Sequence, residues 1–222
     1  MESNSTTSGS RRPLKSRNTR WAQTGARWLA KMGVRPNPVS VASVFFAAAA
    51  GAAFWASGHT SILPPGVWFV IAAMLIQGRL LCNLLDGMIA IEGGFKTKSG
   101  EIYNELPDRF ADLLIIGGTG YAAGATAWQP ELAWIAAGLA VTTAYMRALG
   151  VAAGAAQKFH GPMAKPHRMA LLTVAALVHG GWFFFTESPP ALLFWALVVM
   201  TAGCLVTIYR RCGAIVRELE SK

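Results

Sequence analysis

The sequence predicts an all-α polytopic membrane protein, with six transmembrane helices behind an N-terminal amphipathic helix that lies in the interface. Three observations carry this. First, 53% of the 222 residues are hydrophobic and only 14% are charged, whereas a soluble domain is about 25% charged. Second, six apolar runs approach the roughly 20 residues that a helix needs to cross the hydrocarbon core. Third, every Lys and Arg falls on one side of a six-span path, the pattern that the positive-inside rule assigns to the cytoplasm.

Residues 1–18, rich in Ser, Thr and Arg, read as a disordered basic tail. Over 19–34, Trp21, Gly25, Trp28, Leu29 and Met32 recur at helical spacing, with Arg20, Gln23, Arg27 and Lys31 opposite. That pattern suits a helix in the headgroup layer. The membrane domain follows over 35–212, and 213–222 form a cytoplasmic tail. The six spans are expected at about Pro38–Ser57, Pro65–Ala90, Asp108–Ala125, Glu131–Val151, Arg168–Phe185 and Pro190–Tyr209. The connections Gly58–Pro64, Thr126–Pro130 and Thr186–Pro189 hold no Lys or Arg, so both termini are expected in the cytoplasm of a multi-pass cell-membrane protein.

A net charge of +9 does not point to nucleic acid, because the charge is dispersed along one membrane face. Cys82, Cys204 and Cys212 sit in or beside apolar runs without CxxC spacing, which argues against a disulfide framework or a zinc site. No cleavable signal peptide is expected, since the first 34 residues contain no apolar core segment.

Of 11 acidic residues, six lie between Asp86 and Asp112, at the cytoplasmic ends of spans two and three. Ionisable groups in a membrane segment are costly and mark function. Helix geometry places Asn83, Asp86, Gly87 and Ala90 on one face of span two, and Asn104, Asp108 and Asp112 at i, i+4, i+8 on span three. Two adjacent helices would thus aim oxygen ligands into one volume, as a hard dication such as Mg²⁺ requires when it is shared with phosphate oxygens. Interfacial charge balanced by Lys96, Lys98 and Arg109 accounts for Glu92, Glu101 and Glu105. It does not account for Asp86, set in LLCNLLDGMIAI.

These residues, Asn83-x-x-Asp86-Gly87-x-x-Ala90 and then Gly100-x-x-x-Asn104-x-x-x-Asp108, resemble the signature of the CDP-alcohol phosphotransferase family. That signature reads Asp-x-x-Asp-Gly-x-x-Ala-Arg, eight residues, Gly-x-x-x-Asp-x-x-x-Asp. Every gap agrees, and the resemblance extends over nearly the whole chain. Asn83 and Asn104 stand where the family has aspartates, and Ile91 stands where it has arginine. Pro107 precedes Asp108, so Asn104 either continues the helix or falls outside it; in the second case Glu105 or Asp112 would supply the missing charge.

The resemblance implies a transferase of phospholipid biosynthesis. It would move a phosphatidyl group from a CDP-linked lipid, such as CDP-diacylglycerol, to an alcohol acceptor and release CMP, using Mg²⁺ or Mn²⁺. It implies Asn83, Asp86, Asn104 and Asp108 as metal ligands and Asp108 as the general base. Asn83, Asp86, Gly87, Ala90 and Gly100 would bind CDP, and a homodimer is implied as well. Arg147, Lys165 and Arg168, at the same membrane level, are candidates for binding an acceptor phosphate or the diphosphate, whereas His160 and His167 read as solvated loop. The glycines Gly117, Gly118, Gly120 and Gly124 are expected to form a small-residue face on span three. Two other classes use part of the same pattern: a relative that binds CDP and metal without turnover, and a small-solute or ion transporter. Acids confined to one membrane face and the absence of a duplicated half speak against transport.

Overall fold

A computed structural model of the chain describes residues 19–95, 99–159, 161–186 and 189–222, with Glu101 described by its backbone alone. The expected tail over 1–18 lies outside the described residues, as do Lys96, Lys98 and His160. The described residues form seven α-helices and no strand: α1 (Arg20–Lys31), α2 (Pro36–His59), α3 (Pro65–Glu92), α4 (Gly100–Gly118), α5 (Gln129–Ala152), α6 (Lys165–Trp182) and α7 (Leu192–Glu220). Prolines at the first turns of α2, α3, α5 and α6 set φ for a helix at positions whose N–H has no intrahelical partner.

The six long helices form three successive hairpins, α2–α3, α4–α5 and α6–α7. Packing closes them into a ring in the order α2, α3, α6, α7, α5, α4 and back to α2. α3 and α4, although consecutive, scarcely touch and face each other across the ring. One end of the bundle therefore gathers the N-termini of α2, α4 and α6 and the C-termini of α3, α5 and α7. Every site residue read from the sequence falls at that end.

By length and apolar composition, four described helices suffice to cross a membrane: α2, α3, α5 and α7. α4 and α6 fall outside that group because they carry Glu105, Asp108, Arg109 and Asp112, and Lys165 and Arg168.

The third run differs from expectation. Its helix starts at Gly100 rather than near Asp108 and ends at Gly118, followed by a single 3-10 turn over Thr119–Tyr121. Pro107 sits inside α4 and forgoes one backbone bond to the preceding turn. Asn104 is therefore within the helix. At the far end Gln129 donates its Nε2–H to the Thr119 carbonyl at 2.7 Å, and the chain turns through Gly124 at φ +72°. The four glycines consequently do not share one face. Gly118 lies against Gly51, where an added Cβ would come within 2.5 Å of Gly51 Cα. Gly117 lies under Trp134, Gly120 meets Pro130 and Ala133, and Gly124 belongs to the connection.

α1 buries Ala22 and Ala26 against Leu84, Met88 and Ile89 of α3, and Arg27 reaches Glu92 at 3.5 Å. Trp21 and Trp28 stay about 60% exposed. The tryptophan face thus does not pack on the bundle; small residues make that contact.

Candidate active site

Site residues come from every helix of the ring. On α3, Arg79, Asn83 and Asp86 follow at i, i+4, i+7 and share the face that looks across the ring. On α4, Asp108 and Asp112 lie one turn apart on the opposing face. The two helices meet through these side chains. Asn83 donates an Nδ2–H to Asp108 Oδ1 at 2.5 Å, and Arg79 Nη2 donates to the same oxygen at 3.2 Å. Lys165, at the start of α6, forms an ion pair with Asp108 Oδ2, and Arg109 stands 3.9 Å from that oxygen. Asp108 is 7% exposed and Arg79 is wholly enclosed.

Deeper in the ring, Asp112 is completely buried. Arg168 Nη2 donates to its Oδ2 at 2.7 Å, and Arg79 Nη2 stands 3.9 Å from its Oδ1. Arg168 also donates to the Met163 carbonyl at 2.9 Å and to Thr143 Oγ1 at 3.3 Å, and Arg211 of α7 donates to the Thr143 carbonyl. Charges placed in so little water need such pairing, since an unpaired buried ion costs several kcal/mol.

Asp86 is 4% exposed. Ser40, one turn into α2, donates its hydroxyl to Asp86 Oδ2 at 2.5 Å. Asp86 Oδ1 is buried and has no hydrogen-bond partner.

Beside this cluster a cavity of about 930 Å³ runs between the N-terminal part of α4 and the C-terminal half of α5, walled mainly by apolar side chains such as Leu106, Ala144 and Val151. Its polar lining includes Glu105, Arg109 and Arg147. Glu105 accepts from Arg109 Nη2 at 3.0 Å and from Arg147 Nη2 at 2.5 Å, and the Arg147 guanidinium lies 5.5 Å from the centre of the Phe159 ring. That volume suits a lipid-sized or nucleotide-sized ligand.

The orphaned Asp86 Oδ1 fits a divalent ion, because a buried carboxylate oxygen without a donor is what a hard cation seeks. Asn83 fits beside it, since its amide nitrogen is committed to Asp108 and its carbonyl oxygen remains an acceptor. Among the described residues no three His, Cys, Asp or Glu side chains gather at a metal-holding spacing. Further oxygens would come from substrate or water, as is usual for Mg²⁺.

The sequence-derived residues divide accordingly. Asn83 and Asp108 come together, with Asp112 one turn behind; Asp86 lies one turn along α3 from Asn83 and is bonded to Ser40. Gly87 and Ala90 are half-buried on the same stretch of α3, and Gly100 opens α4 half-buried. Asn104 is exposed, one turn from Asp108. Glu105 is tied to Arg109 and Arg147 on the cavity side, away from Asp86. Lys165 and Arg147 reach the site, each bound to an acid. Arg168, expected to meet a phosphate, is 2% exposed and is bonded inside the ring to Asp112, the Met163 carbonyl and Thr143. His167 is exposed, as expected.

Four members of the cluster were not singled out from the sequence: Arg79, Ser40, Thr143 and Arg211. Arg79 alone carried a local signal, being a cation in an apolar helix one turn before Asn83.

No family model matches the chain. A Streptomyces avermitilis protein named phosphatidylinositol phosphate synthase is 27% identical over 198 residues, covering 87% of this chain and 77% of that protein. Among solved structures, Mycobacterium tuberculosis phosphatidylinositol phosphate synthase with CDP-DAG bound superimposes with a TM-score of 0.70 at 20% identity, covering 89% of this chain and 94% of that one. The same Mycobacterium enzyme in complex with manganese and citrate gives a TM-score of 0.67 at 20% identity, covering 87% and 88%.

Proposed function

We propose that the chain is a membrane-embedded CDP-alcohol phosphatidyltransferase. It takes CDP-diacylglycerol or a similar CDP-linked lipid, transfers the phosphatidyl group to an alcohol, and releases CMP for phospholipid synthesis. The observation that carries this is the contact of Asn83 on α3 with Asp108 on α4, with the enclosed Asp86 one turn along α3, in a bundle superimposing over nearly its full length on a synthase crystallised with CDP-DAG.

All six long helices span the bilayer in this reading, α4 and α6 included, because their charges neutralise one another inside the ring. Both termini face the cytoplasm, and α1 lies along the inner surface with Trp21 and Trp28 at headgroup depth. The acids then stand at the cytoplasmic end, where a nucleotide substrate arrives. A transporter would instead need its ionisable residues near the midplane.

Asp86 and Asn83, with exposed Asn104 as a further oxygen donor, would hold a Mg²⁺ or Mn²⁺ ion, a reading the manganese complex of the Mycobacterium synthase supports. The ion would supply charge neutralisation to the diphosphate and to the departing CMP. Gly87, Ala90 and Gly100 keep the helix surfaces low where the nucleotide lies. Asp108 accepts the proton of the incoming hydroxyl. Its pairing with Arg79, Asn83 and Lys165 fixes its rotamer, and Lys165 must release it for the proton to arrive. Phosphoryl transfer asks for little more than such positioning and charge.

The acceptor is a phosphorylated polyol, as the name of the 27% identical Streptomyces relative suggests. Its phosphate meets Arg147, which lines the cavity, and Lys165, which is paired with Asp108; both are partly exposed. Glu105 would yield Arg147 to it. A homodimer, as in the family, is part of this proposal.

The test is CMP release by the purified protein from CDP-diacylglycerol with Mn²⁺, across a panel of free and phosphorylated alcohols. Release with a phosphorylated polyol is expected. A specific observation favours a second reading, in which the chain binds CDP and does not turn it over: Asp108 is already neutralised by Arg79 and Lys165. Tight CDP binding with no CMP release under any acceptor would select that second reading.

A further inference from the structure

Resting on the phosphotransfer reading above, we propose that Arg79 is a built-in counter-cation of the site. Its guanidinium takes the place of one dication, so the pocket holds a single divalent ion, on the Asp86 side.

The cluster carries no excess of negative charge before any metal arrives. Three enclosed carboxylates, Asp86, Asp108 and Asp112, are opposed by Arg79, Lys165 and Arg168, each within reach of an acid, and Arg109, 3.9 Å from Asp108 Oδ2 and paired with Glu105, adds no negative charge to them. A pocket built for two dications carries an excess of negative charge; this one carries none. Asn83 and Asn104 remove two carboxylates from the α3–α4 face, and Arg79 adds a guanidinium to it.

The geometry agrees with the charge. Both oxygens of Asp108 are occupied, Oδ1 by Asn83 and Arg79 and Oδ2 by Lys165. A second ion on Asp108 would have to displace a buried guanidinium that has nowhere in water to go. Arg79 sits between Asp108 and Asp112, 3.2 Å from one and 3.9 Å from the other, as a bridging cation would. Its Nε and Nη1 have no hydrogen-bond partner, so the group is retained there by charge more than by a full set of donors. Among the described residues, the buried oxygens of these three carboxylates without a hydrogen-bond partner are Asp86 Oδ1 and Asp112 Oδ1; the second faces Arg79 at 3.9 Å, which leaves Asp86 Oδ1 as room for one ion.

Arg79 acts through Asp108, so it is a positioning residue, and the readout must be metal count rather than rate. Full-length protein in detergent with CDP is titrated with Mn²⁺, and free Mn²⁺ is followed by electron paramagnetic resonance. Wild type should take up one ion per chain. Asn83→Asp should remain at one, because Arg79, one turn away, neutralises the new carboxylate. Asn83→Asp with Arg79→Met should rise to two, whereas Asn83→Asp with Arg79→Lys, which keeps the charge and guards against misfolding of the Met variant, should stay at one. Two ions or none in wild type, two in Asn83→Asp alone, two in the Lys variant, or one in the folded Met variant would each overturn the proposal. CMP release by wild type separates the two levels. Release with two ions bound keeps the phosphotransfer reading and removes this role for Arg79; no ion, no CDP binding and no release removes both.

Discussion

The two ends of the bundle are held by different physics. At the site end, helices are joined by charge. Arg79, Asp108 and Lys165 link α3, α4 and α6, while Asp112, Arg168, Thr143 and Arg211 link α4, α6, α5 and α7. At the opposite end the joints are close packing and backbone polar groups. Gly51 and Gly118 bring α2 and α4 into backbone contact. Phe69, His179 and Phe183 stack between α3 and the end of α6. His179 places its two ring nitrogens against the carbonyls of Pro190 at 3.2 Å and Ala123 at 3.0 Å, which ties two connections together. Buried ion pairs contribute little net stability, because desolvation offsets their attraction, yet removing one partner is expensive. The site end therefore trades stability for a concentration of charge where chemistry needs it. The other end supplies the rigidity.

That contrast can be broken from either side. The largest effect is expected at the packed end. Gly118→Leu drives a side chain into the backbone of α2, where nothing flexible can move aside, and should cost more than about 3 kcal/mol, above the usual overpacking penalty. Thermal unfolding in detergent and the yield of monodisperse protein measure it, and any surviving fraction should keep its CMP release per folded molecule.

Asp108→Ala comes next and should act at the other end only. Loss of the proton acceptor should lower CMP release by about 10²–10⁴-fold, with CDP binding retained. If binding and release fall together, Asp108 is structural and the division between the ends is drawn in the wrong place.

Arg168→Met strands the enclosed Asp112 and should destabilise by about 3–5 kcal/mol, whereas Arg168→Met with Asp112→Leu should recover most of that, because an apolar pair of similar volume replaces a buried ion pair at little net cost. Denaturation midpoints of the single and double variants check this. A double variant as unstable as the single one would show that the site end depends on this charge pair for its stability.

The smallest effect is at His179→Phe, which removes the one ring N–H that the neutral imidazole gives to either the Ala123 or the Pro190 carbonyl, while Pro190 O keeps the Leu192 N–H at 2.7 Å. About 1–3 kcal/mol should be lost, with no change in the metal or CDP concentration giving half-maximal CMP release.

What the sequence made legible follows from what is local. Five of the six long helices begin within about three residues of expectation and sit where the apolar runs put them, because run length and helix-starting prolines are properties of adjacent residues. Asn83 and Asp108 were expected on facing helices and are in contact, because spacing on two consecutive helices constrains their faces. The third run was misplaced. Its apolar stretch extends through Ala125, yet the Gln129 bond to Thr119 and the turn at Gly124 end the helix early, and neither is visible in hydropathy. Ser40–Asp86, Arg168–Asp112 and Arg211–Thr143 span 46, 56 and 68 positions. They depend on the order of helices around the ring, which apolar runs do not encode. Lys165 and Arg147 could be placed at the right membrane level from charge alone, but not assigned to Asp108 and Glu105.

Calorimetric titration of CDP into the Mn²⁺-loaded protein tests most directly whether the charged end is a nucleotide–metal site. Wild type and His179→Phe should bind CDP alike, and Asp86→Ala should lose that binding by at least tenfold while unfolding at the same temperature as wild type or higher. CDP binding unchanged in Asp86→Ala, or absent from wild type, would contradict the assignment of the buried charge to phosphotransfer.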